Sequence, residues 1–95
     1  MKKQRIRDAA VGEPPEGTWS NCLVVDRHVY IAGMTSRSDE FDTIIGENAY
    51  DQSKVIFDKI KALIEAAGGS MADIVKVNIF LTEVNDRQQV WEARS

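Results

Sequence analysis

The sequence is poor in the residues that build disulfide frameworks and metal centres. Its 95 residues include one cysteine, Cys22, and one histidine, His28. A single cysteine excludes an internal disulfide bond, and one cysteine with one histidine cannot supply the four protein ligands of a structural zinc ion. We therefore expect this chain to bind no metal and to use no cofactor.

Long hydrophobic runs and an excess of positive charge are also missing. No apolar segment approaches the ~20 residues of a membrane-spanning helix, and the N terminus lacks the hydrophobic region of a signal peptide. These absences predict a cytoplasmic protein with no membrane partner. The net charge is -3, so nucleic acid is not favoured as a partner either.

What the chain does contain is typical of one small globular domain over residues 1–95. Hydrophobic residues make up 43% of the sequence and charged residues 28%, which is an ordinary globular composition. A chain of this length buries only roughly 60–65% of the surface that its unfolded form exposes. Its stability therefore depends on a complete sheet or on a partner.

The strongest pattern is that of an amphipathic helix beginning near residues 46–48. Apolar positions recur at spacings of three and four, which places them on one face of a helix. The stripe consists of Ala49, Ser53, Ile56, Ile60, Leu63, Ile64 and Ala67. Gly68 and Gly69 follow, where helices commonly end on a residue of positive φ. The sequence thus predicts a helix that stops at these glycines.

Residues 74–82 change from the helical period to a period of two, which predicts a strand. One side is aliphatic and should lie under the helix stripe, because each surface needs an apolar partner. That side consists of Val75, Val77, Ile79 and Leu81. The other side mixes Ile74 and Phe80 with Lys76 and Asn78, a composition that a subunit interface would explain.

Two short runs rich in β-branched residues, 20–25 and 29–33, predict an antiparallel hairpin. His28 falls at the expected turn; we interpret it as a solvated turn residue rather than a general base, because no nucleophile lies nearby in the sequence. Gly33 ends the second strand, either as a strand terminator or as a point of close approach for a ligand. The residues that follow, 34–45, show no clear period and predict a loop.

The two ends of the chain carry weaker patterns. Residues 1–7 contain four basic side chains, which suit either a phosphate-binding arm or a charged edge strand or fraying terminus; the latter is the simpler interpretation. At the other end, Asp86 is a good N-cap, and the residues after it are helix formers with Val90 and Trp91 on one side. A second, short helix is therefore expected.

Several segments together resemble the RidA/YjgF family of reactive enamine/imine deaminases, whose members are also known as endoribonuclease L-PSP or translation initiation inhibitor proteins. The resemblance is carried by YIAGM at the end of the hairpin, EAAGG at the end of the helix and DIVKVNIFLT in the predicted strand. It implies a chorismate-mutase-like α+β fold, with a mixed sheet and two helices packed on one face. It also implies a homotrimer with ligand clefts between subunits.

The same resemblance implies two further strands after the second helix, one with an arginine that clamps a substrate carboxylate and one with a glutamate that positions water. Neither strand is in this sequence, so the resemblance assigns no catalytic residue here and implies a fold lacking its last two strands. In the family topology this leaves a gap between the hairpin and residues 74–82.

Substrate-binding positions carried over from the family pattern fall on residues that depart from it in four of five cases. A common tyrosine is replaced by Trp19, a serine by Ala32, a glutamine by Met34 and an asparagine by Trp91, while Gly33 matches. These departures suggest a flatter and more apolar pocket or a different substrate. For both tryptophans, packing or interface formation is the simpler interpretation.

Three functions follow from the resemblance. The first is hydrolysis of enamine/imine intermediates of the 2-aminoacrylate type to a keto acid and ammonia, with the 95-residue chain itself expected to be inactive. The alternative is a non-catalytic trimer that binds a small imino or keto acid, or a protein. Endoribonuclease or translation-inhibitor activity ranks third, because the acidic chain shows no basic and aromatic surface.

Overall fold

The computed structural model describes residues 3–38 and 42–94; Met1, Lys2, residues 39–41 and Ser95 lie outside the described residues. The α+β class predicted from the sequence is confirmed, with a small sheet and two helices. The strands are β1 (Lys3–Ile6), β2 (Cys22–Val25) and β3 (His28–Ile31), and the helices are α1 (Ala49–Ala66) and α2 (Arg87–Arg94). Short 3-10 turns cover Met71–Asp73 and Val84–Asp86.

The described strands form an antiparallel sheet in the order β1-β2-β3. The predicted hairpin is confirmed: Val25 pairs with His28 and Cys22 with Ile31, and Asp26 takes the positive φ of 55° that the tight turn needs. His28 is exposed beside this turn, as expected. Of the sheet expected from the family resemblance, the described residues therefore contain antiparallel pairs only.

The basic N-terminal arm forms the charged edge strand that its composition allowed. Ile6 of β1 pairs with Cys22 and is buried, whereas Lys3, Gln4 and Arg5 are exposed. Charged side chains on an edge strand discourage pairing with other chains. Met1 and Lys2, which belong to the same arm, lie outside the described residues.

Helix α1 begins and ends where the sequence places its signals. Asn48 is the N-cap, and its side-chain oxygen accepts a hydrogen bond from the Asp51 N–H at 2.9 Å. At the other end Gly68 has φ of +94°, a conformation that glycine adopts at little cost. The Gly69 N–H then donates to the Ile64 carbonyl at 2.9 Å, so the helix is closed at both ends.

The hydrophobic core lies between α1 and the sheet. Leu63 and Cys22 are fully buried, and Ile6 and Val11 complete the cluster. Leu63 belongs to the apolar stripe of the helix, while Cys22 lies at the middle strand of the sheet. Of the stripe predicted from spacing, Leu63 and Ala67 therefore pack in or against this cluster.

The second helix is confirmed and packs against the first. It begins at Arg87, one residue after the predicted cap, and buries Val90 and Ala93. The Tyr50 N–H donates to Gln89 Oε1 at 3.2 Å, which ties α2 to the start of α1. Neither α1 nor α2 is both long and apolar enough to cross a membrane.

The prediction that residues 74–82 form a strand of the sheet is wrong. This segment is not part of the sheet, and Val75 and Phe80 are 99% and 93% exposed. A strand is stabilised by hydrogen bonds to a neighbouring strand, and among the described residues no strand lies beside this one. The segment has the alternating sequence of a strand, but the described residues contain no strand with which it could pair.

A groove separates the segment from the hairpin, where the resemblance leads us to expect a gap. Its volume is about 1230 Å³, and it is lined by parts of the hairpin, by the apolar face of α1 and by residues 73–81. Val77, Ile79 and Leu81 are about 40% exposed. These three belong to the aliphatic side that was predicted to face the helix.

The Cys22 thiol is expected to react slowly while the chain is folded. It is fully buried, and this burial raises the pKa of the thiol by disfavouring the thiolate. We expect labelling by a thiol reagent at pH 8 to be at least about 100-fold slower in the native chain than in urea, because labelling requires opening of the core.

The raised pKa also has a consequence for stability. Because the unfolded thiol loses its proton at lower pH than the folded one, this contribution to stability is fully present below the unfolded pKa of 9.0 and decreases as the pH rises above it.

A Cys22→Ser variant, which has no thiol to label, serves as the blank of the labelling experiment. Equal labelling rates with and without urea would contradict the buried position of Cys22.

Candidate functional site

A pocket of about 450 Å³ opens beside the hairpin, between the loop that precedes β2 and the residues that follow β3. Three segments build its wall: the loop between β1 and β2, the residues that follow β3, and one side chain from α1. The lining residues are Val11, Gly12, Pro15, Trp19, Asn21, Gly33, Met34, Thr35, Arg37 and Lys59.

The loop side of the pocket is held in place by local hydrogen bonds. Asn21 is 5% exposed, and its side-chain amide donates to the Gly12 carbonyl at 2.9 Å. The Val11 N–H donates to the Asp8 carbonyl at 3.0 Å. Glu13 accepts from Arg5 of β1 at 2.7 Å. The loop that follows β1 is therefore fastened to β1 and closed on itself by Asn21, the residue before β2, which fixes this wall.

Three of the five predicted substrate-binding residues meet in this pocket. Trp19, Gly33 and Met34 all line it, and Trp19 is 47% exposed. A Cβ added to Gly33 would have nothing within 4 Å, so this position leaves open space beside the backbone. Proximity is shown for these three residues, and contact with a ligand stays a prediction.

The other two predicted residues lie elsewhere. Ala32 lines the neighbouring groove together with Gly33 and Met34. Trp91 lies on α2, 45% exposed, with the Arg87 guanidinium 5.9 Å from its ring centroid. Trp91 lines neither the pocket nor the groove. Its predicted role in substrate binding stays untested.

The basic part of the pocket wall was not predicted from the sequence. Arg37 and Lys59 both line the pocket, and the Lys59 ammonium donates to the Thr35 carbonyl at 2.9 Å and to the Arg37 carbonyl at 2.7 Å. A signal for Lys59 exists, because it lies three residues after Ile56 and four before Leu63, within the apolar stripe. A lysine at such a position needs polar partners.

The loop that carries Arg37 contains regular backbone contacts. Arg37 forms an isolated antiparallel bridge with Ile44, and the Ile45 N–H donates to the Ser36 carbonyl at 2.6 Å. Residues 39–41 of this predicted loop lie outside the described residues. Together with the two hydrogen bonds from Lys59, these contacts fix the backbone at Arg37, which lines the pocket.

The described pocket lining offers polar groups that can bind a small ligand. Its polar side-chain groups are an amide, a hydroxyl, an indole N–H and two cations; carboxylates and imidazoles are not among the described lining residues. His28 lines the groove instead and stacks with Tyr30 at 6.3 Å between ring centroids. In the described part of the chain no group of three or more His, Cys, Asp or Glu residues is placed to hold a metal ion.

Fold and pocket together define a small α+β protein with a pocket beside its hairpin, and the comparisons with known proteins identify its family. The sequence matches the Endoribonuclease L-PSP family over residues 11–95. The chain belongs to this family, which is the RidA/YjgF family. A 2-iminobutanoate/2-iminopropanoate deaminase of Dermatophagoides farinae is 31% identical over 90% of this chain and 67% of its own. A RutC family protein of Pyrococcus abyssi is 32% identical over 85% of this chain and 64% of its own.

Solved structures show the same architecture over a longer chain. A protein of unknown function from Pseudomonas aeruginosa superposes with a TM-score of 0.83 at 34% identity, over 98% of this chain and 68% of its own. RidA from an Antarctic Psychrobacter gives a TM-score of 0.80 at 34% identity, over 95% and 72%. The chain therefore spans about two thirds of the length of these relatives.

Proposed function

We propose that the protein containing this chain hydrolyses small 2-imino acids to 2-oxo acids and ammonia, and that the ligand occupies the pocket at Trp19. The observation that carries the proposal is the meeting of Trp19, Gly33 and Met34 in one pocket of about 450 Å³. The relative named 2-iminobutanoate/2-iminopropanoate deaminase, 31% identical over 90% of this chain, supports the choice of substrate.

The reaction is a hydrolysis without redox change. Water adds its oxygen to the imine carbon, and its two protons pass to the nitrogen. The carbon–nitrogen bond then breaks, a carbonyl forms and ammonia leaves. The pocket contributes positioning: Trp19 and Met34 offer apolar surface to the aliphatic part of the substrate, and the open space at Gly33 admits its reacting end.

Binding without turnover is the second candidate for the 95-residue chain itself. It is favoured by the absence of any carboxylate or imidazole among the described lining residues, since one of these is the usual group that orients or deprotonates an attacking water. We therefore propose that this chain alone binds the oxo acid product and does not accelerate the hydrolysis.

A homotrimer is part of the same proposal. Several apolar side chains are exposed to solvent in the single chain, among them Val75, Phe80 and Tyr30, at 99%, 93% and 60% exposure. Apolar and aromatic groups exposed to this degree on a monomer mark interaction surfaces. Association of three copies would cover them.

The proposed function is tested by measuring ammonia release from 2-iminobutanoate, generated in place by an amino-acid oxidase. We expect the product of the natural gene to accelerate release over buffer and the 95-residue chain to leave it unchanged. In NMR titrations, the same chain should show shifts of the Trp19 indole and Gly33 amide with 2-oxobutanoate. No acceleration by the gene product would exclude the deaminase, and turnover by the 95-residue chain would exclude the binding-only role.

A further inference from the structure

We propose that Lys59 is a positioning residue of the pocket: it holds the backbone of residues 35–37 against α1, and the affinity of the pocket for its ligand depends on this hold. The proposal rests on the proposed function and deepens it, because it names a side chain that acts on the ligand through the pocket wall rather than through its own charge. Lys59 was not predicted from the sequence as part of the site.

Lys59 joins two parts of the pocket wall that lie far apart in the sequence. From α1, its ammonium donates to the carbonyls of Thr35 and Arg37, 24 and 22 residues away, at 2.9 and 2.7 Å. All three residues line the pocket. A lysine ammonium has three N–H donors, and hydrogen bonds from a charged donor are among the stronger ones. One side chain therefore fastens two backbone groups to the helix.

The other backbone hydrogen bonds described for this loop join it to itself. The Ser36 carbonyl accepts from the Ile45 N–H at 2.6 Å, and the Ser38 N–H donates to the Thr43 carbonyl at 2.8 Å. These two bonds shape the loop but do not reach α1. The hydrogen bonds from Lys59 do reach α1, so they determine where the shaped loop lies against the helix.

The backbone held by Lys59 directly follows two residues that were predicted to bind substrate. Gly33 and Met34 line the pocket, and Met34 also packs against the core cluster. With Thr35 tied to α1, the chain on either side of Met34 has a fixed course. A wall that takes its binding arrangement only part of the time lowers the apparent affinity by that fraction, so loss of the hold should weaken binding.

The test titrates the 95-residue chain with 2-oxobutanoate and follows the NMR signals of Trp19 and Gly33. Lys59→Met keeps the aliphatic stem and removes the three donors; we expect it to bind at least about fivefold more weakly. The neutral amide, 2-oxobutanamide, should lose affinity by the same factor, because the change acts on the wall and not on the charge of the ligand. Lys59→Arg, whose guanidinium also has several donors, should restore binding to within about twofold of the parent.

The matched control is Lys61→Met, which makes the same change at an exposed position of α1 that lines neither the pocket nor the groove. It should bind like the parent. Circular dichroism reports whether each variant is folded. Equal affinity of Lys59→Met and Lys61→Met, or a loss confined to the acid, would overturn the inference while the Trp19 and Gly33 shifts of the parent still supported the proposed function. If the parent showed no shifts, both would fail.

A measurement on the parent chain decides the matter if Lys59→Met does not fold. Coupling between two events is reciprocal, so a hold that strengthens ligand binding must itself be strengthened by the ligand. Near saturation with 2-oxobutanoate, exchange of the Lys59 ammonium protons with water should slow at least about fivefold, whereas that of Lys61 should not change. An exchange rate of Lys59 that is the same with and without ligand would overturn the inference.

Discussion

Replacing Leu63 by alanine is expected to lower the free energy of unfolding by about 3 kcal/mol, within the range of 2–5 kcal/mol seen for such truncations. Leu63 is fully buried and packs in the cluster that contains Ile6, Val11 and Cys22. The change removes three carbon atoms from the centre of the core, and the three surrounding side chains belong to three different segments that cannot all relax into the cavity.

The measurement is urea unfolding followed by circular dichroism, with a thermal scan as a second readout. For a chain of this size the midpoint should fall by roughly 10–20 °C. Leu63→Met conserves most of the volume and should cost less than about 1.5 kcal/mol. Val75→Ala removes an aliphatic group from a residue that is 99% exposed and should change stability by no more than about 0.5 kcal/mol. If Leu63→Ala were as mild as Val75→Ala, the core would not lie where the structure places it.

The parts of the fold that the sequence predicts well are those fixed by near neighbours. Helix α1 is set by its apolar stripe, by Asn48 before it and by Gly68 after it, all within one segment. The hairpin is set by two short runs and a turn at Asp26. Each of these elements satisfies its own backbone hydrogen bonds, so a local pattern is enough to predict it.

The pairing of residues 74–82 could not be predicted from local sequence. Their alternation predicts a strand, but a strand needs a neighbour that lies elsewhere in the chain or in another chain. The family resemblance implied a gap beside this segment, and periodicity alone could not have shown it. The same pattern is therefore extended and exposed in this chain rather than paired.

The candidate site was likewise predicted in part. Trp19, Gly33 and Met34 were predicted from the family pattern, and the fold brings them together because Trp19 precedes β2 and the other two follow its partner β3. Arg37 lies in a loop without periodicity, and Lys59 lies on a helix 22 residues away. Their association depends on the docking of that loop against α1, which no local pattern reports.

Phe80→Asp is expected to abolish most of the self-association of this chain while leaving its stability unchanged. Phe80 is 93% exposed, and the alternation of the sequence places it on the opposite side of its segment from Val77, Ile79 and Leu81. Removing it from the side that the sequence predicts to meet other chains should cost association and not folding. The burial of one phenylalanine contributes roughly 1.5–3 kcal/mol, so the association constant should fall by at least about 10-fold.

Sedimentation velocity over roughly a hundredfold range of protein concentration measures this directly. The parent chain should approach a trimer at the upper end, and Phe80→Asp should remain monomeric there. Thr82→Asp is the matched control, because it places the same charge two residues further along the same side and removes no aromatic surface. An equal loss in Thr82→Asp would assign the effect to charge alone, and unchanged association in Phe80→Asp would remove this side of the segment from the proposed subunit interface.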